Sequence, residues 1–346
     1  MAENKLITIA GGGVAGLTLG IGLRQLGVPV VIHEAGVYPR HRVCGEFISG
    51  CGHATLARLG LRELFDRAGA VRAQTAAFFS TTKSTAPRPL PSAAVCLSRF
   101  TLDAALAKKF RELGGEFHEG DRFTGDFGEG IIRATGRRVQ TEAGGSRWFG
   151  LKIHARNVAL TADLEMHVSP RGYVGLCRIN GGEVNVCGLF RKSVGENGEV
   201  KNRHDLLRGQ PDSPLRLRLA CAEFDESSFC AVAGLSMQPQ PASARAEICV
   251  GDAITMIPPI TGNGMSMAFE SAELALTPLA AWSRGGLSWD EARQKTARDC
   301  DAAFARRVAW AKWLQRIILT PVLQNPLIRL VARSDRFWRM AFERTR

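Results

Sequence analysis

The sequence predicts an α/β protein: a nucleotide-binding domain of parallel strands, an antiparallel sheet inserted into it, and a helical segment after it. Three observations carry this. The first 35 residues read strand, glycine turn, helix, strand. From residue 147 the apolar pattern switches to the two-residue period of a sheet, and near residue 250 a strand, a glycine turn and a helix return.

Taken in order, "KLITIA" is an apolar strand, "GGGVAG" a turn, "LTLGIGLRQLG" a helix closed by Gly27, and "VPVVIHEA" a second strand, together a βαβ unit. "TLARLGLRELFDRAG" reads as a helix, and residues 80–92, "STTKSTAPRPLPS", as an exposed loop. "SRFTLDAALAKKFRELGG" places Leu102, Ala105, Leu106 and Phe110 at helical spacing before a glycine stop. Four strands follow in "RWFGLKIHAR", "ADLEMHVS", "GYVGLCRI" and "GEVNVCGLF". There Leu164, Met166 and Val168 alternate with Glu165 and His167, as in a sheet with one buried face. Residues 191–228 are charged and part helical, before strand texture resumes at "FCAVAGLS" and "AEICVGDA". The expected divisions are residues 1–146 and 241–285 for the nucleotide-binding domain, 147–240 for a substrate domain, and 286–346 for basic amphipathic helices.

At 346 residues and 45% hydrophobic content the chain can bury a sizeable core. Its nine cysteines show no C-x-x-C and no zinc spacing, and with a strand beginning at Lys5 there is no secretory leader, so reduced thiols, no metal and a cytoplasmic location are expected. No stretch of eighteen uncharged apolar residues occurs, and "IILTPVLQNPLI" is broken by Pro321 and Pro326. The net charge is +12, and residues 284–346 hold 14 Lys+Arg against 6 Asp+Glu, an excess of 8.

The chemistry gathers in glycine-rich turns. Gly11, Gly13 and Gly16 form G-x-G-x-x-G between strand and helix, and Glu34 ends the next strand 23 residues after Gly11. Glycines permit close approach of a pyrophosphate, the helix N-terminus favours its charge, and the acidic residue suits ribose hydroxyls. "GDAITMIPPITGNGM" at 251–265 is a second such turn, stiffened by prolines and baring N–H groups at a helix start. A plain strand–loop–helix junction capped by Asp252 is its structural reading.

"GGGVAGLTLGIGLRQLGVPVVIHEA", "HRVCGEFISG", "LSRFTLDAALA" and "VGDAITMIPPITGNGMSMAFESA" occur in the order found in one flavoprotein group, which the chain resembles over residues 5–280. This is the group of aromatic-ring hydroxylases (group A flavin monooxygenases) and geranylgeranyl-reductase-like enzymes. The resemblance implies a Rossmann-like FAD-binding domain of the glutathione-reductase type. FAD would be held by Gly11, Gly13, Val14, Ala15 and Gly16 with Glu34 and Ala35. Asp252 would bond the ribitol or pyrophosphate, and Pro259, Gly262, Asn263, Gly264 and Met265 would line the pyrimidine edge of the flavin, where fixed dipoles stabilise reduced-flavin charge. Arg42 would meet a phosphate, and Cys44 and Glu46 would face the ring or the substrate. Cys44 is equally readable as a small buried hydrophobe. Arg99 would approach the cofactor, or else pair with an acid at its helix start.

Between Gly120 and Trp148 the chain departs from the group: "IIRATGRR" has Thr135 where an Asp-Gly turn carries its aspartate, which puts the NAD(P)H and pyrophosphate contacts of that region in doubt. The W-x-W-x-I-P stretch of flavin-dependent halogenases is also missing, as are hydrolase and H-E-x-x-H signatures. Lys152, His154, His167 and Tyr173 are candidate polar groups of the substrate wall, His154 and Tyr173 joining Cys44 and Glu46 as catalytic candidates.

The stretch from Phe304 to Arg346 sets Trp310, Trp313, Leu314, Ile317 and Ile318 at helical spacing, with Lys312 and Arg316 one turn apart. Such a helix either lies on an anionic membrane surface or packs on the nucleotide domain with its basic face in water. No nucleic-acid reader motif accompanies the charge. The function expected is an NAD(P)H-consuming, FAD-dependent monooxygenase for an aromatic or phenolic, lipid-like small molecule. The alternatives are a carbon–carbon double-bond reductase of prenyl chains and a flavoprotein fold that has lost catalysis.

Overall fold

The computed structural model describes residues 4–137, 147–192, 203–235 and 238–346. The first stretch opens with β1 (Ile7–Ala10), α1 (Val14–Gln25) and β2 (Val30–Glu34), the βαβ unit expected. Then come β3 (Phe47–Ile48), α2 (Cys51–Arg58), α3 (Arg62–Arg67), β4 (Val71–Phe79), β5 (Arg88–Cys96), α4 (Arg99–Glu112), β6 (Glu116–Glu119) and β7 (Ile131–Arg133). The predicted helix over 55–69 is thus two short helices, parted at Gly60, which sits at φ +65°. The expected loop at 80–92 is a turn that becomes strand from Arg88.

The second stretch carries β8 (Arg147–Arg156), β9 (Leu164–Ser169), β10 (Gly172–Arg178), β11 (Val184–Lys192), α5 (Arg203–Arg208), α6 (Pro214–Arg218) and β12 (Glu223–Leu235). β13 (Ile248–Cys249) pairs with β7 beside β1, followed by α7 (Gly264–Ser283), α8 (Trp289–Ile318), α9 (Pro321–Arg333) and α10 (Asp335–Arg344).

Five strands form a parallel sheet in the order β13-β7-β1-β2-β6. α1 crosses it, buried from Val14 through Leu23. Two of its glycines make that possible: a Cβ on Gly20 would fall 2.7 Å from Ile32 Cδ1, and one on Gly22 2.6 Å from Leu276 Cδ2. The helix therefore sits tightly between sheet and α7. Phe110 of α4, wholly buried, contributes roughly 2–3 kcal/mol to this core.

The other sheet has eight strands, β12-β8-β11-β10-β9-β4-β5-β3, all antiparallel except the β4–β9 pair. It draws β3, β4 and β5 from residues 47–96, ahead of the stretch expected to build it. The expectation of one buried face at β9 fails too. Glu165 and His167 are buried, because α6 brings Arg218 over that side and Phe79 stacks on His167.

The basic tail packs. Ser288 and Glu291 close a reciprocal cap at the start of α8, and the buried Arg307 guanidinium grips Glu270 of α7 through two bonds of 2.9 Å. Among the described residues no helix is long and apolar enough to cross a membrane.

Candidate active site

A cavity of about 980 Å³ runs from the glycine turn of β1, under the eight-stranded sheet, to α8 and α10. That is the upper end of ordinary ligand pockets, about 300–1,000 Å³.

At the β1 end of the cavity the three glycines do different work. A Cβ on Gly11 (φ +111°) would lie 2.3 Å from the Ala134 carbonyl oxygen, and one on Gly16 1.9 Å from that of Gly11. These two positions serve packing, and Gly16 does not line the cavity. Gly13, at the N-terminus of α1, has nothing within 4 Å of where a Cβ would stand and opens onto the cavity. Val14, Ala15 and Ala35 line it as well.

Glu34 is buried, and its carboxylate is largely committed. It accepts from the N–H groups of Gly12 at 2.8 Å and Gly36 at 2.9 Å, and pairs with Arg40 and, at 3.5 Å, Arg42. Arg42 also stands 3.5 Å from Asp103, so it bridges two acids instead of standing free for a phosphate. Arg99 lines the cavity but holds Asp103 through two bonds of 2.7 Å, a buried form of the ion-pair reading.

Asp252 lines the cavity with no hydrogen bond or ion pair among the described residues, and burial pushes its carboxyl pKa up against the pull of Arg137 and Arg99. Thr135 and Arg137 line the same end. Pro259, Gly262 (φ +62°), Gly264 and Met265 form the second turn on the cavity, and Gly264 is open like Gly13. Asn263 departs from expectation. Its amide donates to the Thr345 carbonyl at 2.6 Å, away from the cavity lining, because α10 closes over the turn.

Next to this turn lies a chain of buried ionisable groups. Glu46, fully buried at the left-handed φ of +56°, accepts from Arg99 N–H at 2.8 Å and faces His154 Nε2 at 2.7 Å. Lys152, also fully buried, stands 3.6 Å from Glu46 and donates to His41 Nδ1 at 3.0 Å. Burial first, then the adjacent Lys152 ammonium, push the His41 pKa down, so its ring is a neutral acceptor. Beyond His154, Nδ1 is 3.4 Å from Glu183, a partly exposed carboxylate. Glu46 and His41 line the cavity, while Lys152 and His154 stand behind them. A non-glycine residue held in the left-handed region, with its acid paired to a buried histidine, is the kind of strained feature that collects at working sites.

The remaining candidates separate. Burial pushes the Cys44 thiol up, so although it lines the cavity it is no thiolate. Tyr173 lines the cavity and packs among Trp148, Val168, Leu189, Ile260 and Ile318; its hydroxyl has no partner among the described residues, and burial raises its pKa well above the ordinary value. It can donate a hydrogen bond but is no base. His167 bonds Glu165 at 3.0 Å and belongs to a separate network. Sequence reasoning missed Arg40, His41, Arg137, Phe123 and Phe127, all on the cavity. The aromatic pair of "DRFTGDF" was the available signal, and Phe127 lies 3.5 Å under the Arg133 guanidinium. No group of metal-ligating side chains occurs among the described residues.

No family model matches the chain, and no curated protein matches it in sequence. Solved structures do. The flavin-dependent brominase Bmp2 superposes with a TM-score of 0.69 at 19% identity, over 96% of this chain and 94% of that one. A geranylgeranyl bacteriochlorophyll reductase-like protein from Thermoplasma acidophilum gives 0.74 at 18%, over 96% and 92%. PqsL of P. aeruginosa, in complex with 2-aminobenzoylacetate, gives 0.68 at 15%, over 99% of both chains. The chain has the mixed α/β fold of these proteins.

Proposed function

We propose that this protein is an FAD-dependent monooxygenase that consumes NAD(P)H and hydroxylates an aromatic or phenolic, lipid-like small molecule. The observation that carries the reading is the buried Glu46–His154 pair, set where an open nucleotide cradle meets an apolar sheet wall.

The residues fit a flavin nucleotide. Gly13 and Gly264 leave room where a Cβ would intrude, and Asp252 offers an uncommitted carboxyl. The N–H groups opening α1 suit the pyrophosphate, and Phe123 and Phe127 offer faces to an adenine. When bound, FAD would supply two-electron redox chemistry and the reaction with oxygen. The chain would do the rest. Phe78, Leu164, Met166 and Leu189 exclude water from the reacting face. Glu46 would take a proton from a phenolic hydroxyl and pass it to His154 Nε2, whose Nδ1 would release a proton to the Glu183 carboxylate towards solvent, while Lys152 steadies the Glu46 anion.

A second reading, reduction of a prenyl double bond, uses the same pair to deliver a proton; the length of apolar wall favours it. The missing W-x-W-x-I-P stretch disfavours halogenation. Loss of catalysis rests on Thr135 alone. We also propose that α8 and α9 meet an anionic membrane surface, since Trp313, Val322, Leu323 and Leu330 are exposed apolar groups among Arg316, Arg329 and Arg333. Sedimentation with phosphatidylglycerol vesicles but not phosphatidylcholine ones supports this; equal recovery with both refutes it.

The deciding experiment is an absorption spectrum after reconstitution with FAD and desalting, then oxygen uptake with NAD(P)H and a set of phenols. Retained flavin with phenol-dependent uptake supports the monooxygenase. Retained flavin with prenyl saturation and no uptake supports the reductase, and a colourless protein means catalysis is lost.

A further inference from the structure

The proton path from Glu46 through His154 to Glu183 leaves His41 unused. His41 lies in the segment between β2 and β3, lines the cavity and stays partly exposed there. Its ring is held by stacking and by a hydrogen bond. It lies on Phe100 of α4 at 4.5 Å between centroids, meets the His154 ring edge-on at 5.1 Å, and accepts from Lys152 Nζ at 3.0 Å.

Lys152 fixes the tautomer. An ammonium has hydrogens to give and no lone pair to offer, so Nδ1 accepts and the single proton of the neutral ring stands on Nε2. The charged and titratable groups around the ring are Lys152 and His154 of β8, Glu46 of its own segment and Asp225 of β12. Burial, then Lys152, then His154 push its pKa down and outweigh the two carboxylates, so the ring stays neutral at neutral pH. No acceptor among the described residues takes the Nε2 hydrogen. Glu46 stands 3.6 Å from the same ammonium, and both Glu46 and His41 line the cavity. A group that can take a proton and a group that can only donate a hydrogen bond are therefore neighbours there, with one cation behind both.

We propose that His41 is a catalytic residue, donating its Nε2–H to the phenolic oxygen of the substrate while Glu46 takes that oxygen's proton. This deepens the phenol reading and rests on it. As the O–H bond breaks and its electron pair stays on oxygen, the bond from Nε2–H strengthens, because a donor gains more from an anion than from a neutral hydroxyl. Lys152 polarises the ring through Nδ1 and adds to that gain.

The test is a spectrophotometric pH titration of 4-nitrophenol bound to the purified protein, with the phenolate band read after subtraction of any flavin absorbance. Removing a donor to the anion raises the pH at which the bound phenol ionises. In His41→Phe, which keeps a ring against Phe100, that pH should be higher than in the wild type by about one unit or more. His41→Gln, whose amide can both accept from Lys152 and donate to the ligand, should recover part of the difference. Affinity for 4-nitroanisole, which has no proton to lose, should stay close to wild type in both variants and shows that the cavity is intact. If His41→Phe does not fold, His41→Ala, which lets water reach Lys152, carries the same expectation. Equal ionisation of the bound phenol in the wild type and the variants, or no saturable binding of 4-nitrophenol by the wild type, overturns the inference. Flavin content is read separately from each spectrum. A wild type without flavin that shows the His41-dependent shift sinks the redox reading and leaves the phenolate site standing, whereas a flavin-bearing wild type that titrates like His41→Phe does the reverse.

Discussion

Glu46–His154 and Glu165–His167 are two pairs of the same residue types, at 2.7 and 3.0 Å, both buried in contact with one sheet. They differ in where their networks end. Glu165 and His167 share one face of β9, and the carboxylate is saturated: Thr161 donates its N–H at 2.6 Å and its hydroxyl at 2.8 Å, and Arg218 its Nε–H at 3.0 Å. His167 stacks on Phe79 at 4.4 Å, and burial pushes its pKa down, so it stays neutral. That network holds α6 to the sheet, and although Glu165 borders the same cavity its acceptor sites are already occupied. Glu46 and His154, 108 residues apart, connect a cavity on one side to partly exposed Glu183 on the other. Identical chemistry becomes structural when the carboxylate's lone pairs are spent, and available for proton transfer when the histidine leads on to a second carboxylate.

The largest expected effect would break the comparison. Glu46→Gln or His154→Ala should lower substrate-dependent turnover by roughly 10²–10⁴-fold, the usual worth of a positioned acid or base, with FAD retention unchanged. Steady-state oxygen uptake reads this, and wild-type turnover in either variant would reduce the pair to scaffolding. Glu165→Gln should do the reverse, leaving turnover per folded molecule near wild type while costing about 2–3 kcal/mol in urea unfolding, because Arg218 loses its counter-charge.

A pH series sharpens the contrast. The interactions at Glu165 outweigh burial and hold its carboxyl at about 2, below its ordinary 4.5. Its folded pKa is the lower one, so its contribution is complete above about 4.5 and fades as the pH falls toward 2, by roughly 1–2 kcal/mol once solvent screening is allowed for. Denaturant midpoints of Glu165→Gln should lack that part of the acid slope. The smallest effect on turnover is that of His167→Phe, which keeps the stack on Phe79 but takes one donor from the buried Glu165 carboxylate, and should cost about 1–3 kcal/mol of stability without touching turnover.

Much of the nucleotide end was legible because its signals are local. Gly11, Gly13 and Gly16 are spaced along one turn, and β8 to β11 announce themselves as short strand-like runs separated by turns. What escaped was set by distant partners. Residues 88–92 read as loop because two prolines hid a strand paired with β4, and Glu165 and His167 read as exposed because α6 and Phe79, which cover them, lie elsewhere in the chain. Asn263 read as a ligand-facing residue until α10 supplied the Thr345 carbonyl.

By itself, then, the sequence determined the βαβ unit, the inserted strands and the two glycine turns, since backbone conformation and short-range periodicity depend on near neighbours. Only the tertiary structure decided that Glu46 meets His154, that Glu34 is already spent on Arg40, and that Lys152 meets His41. Those outcomes depend on which charges become neighbours once water is excluded, and no spacing along the chain encodes that.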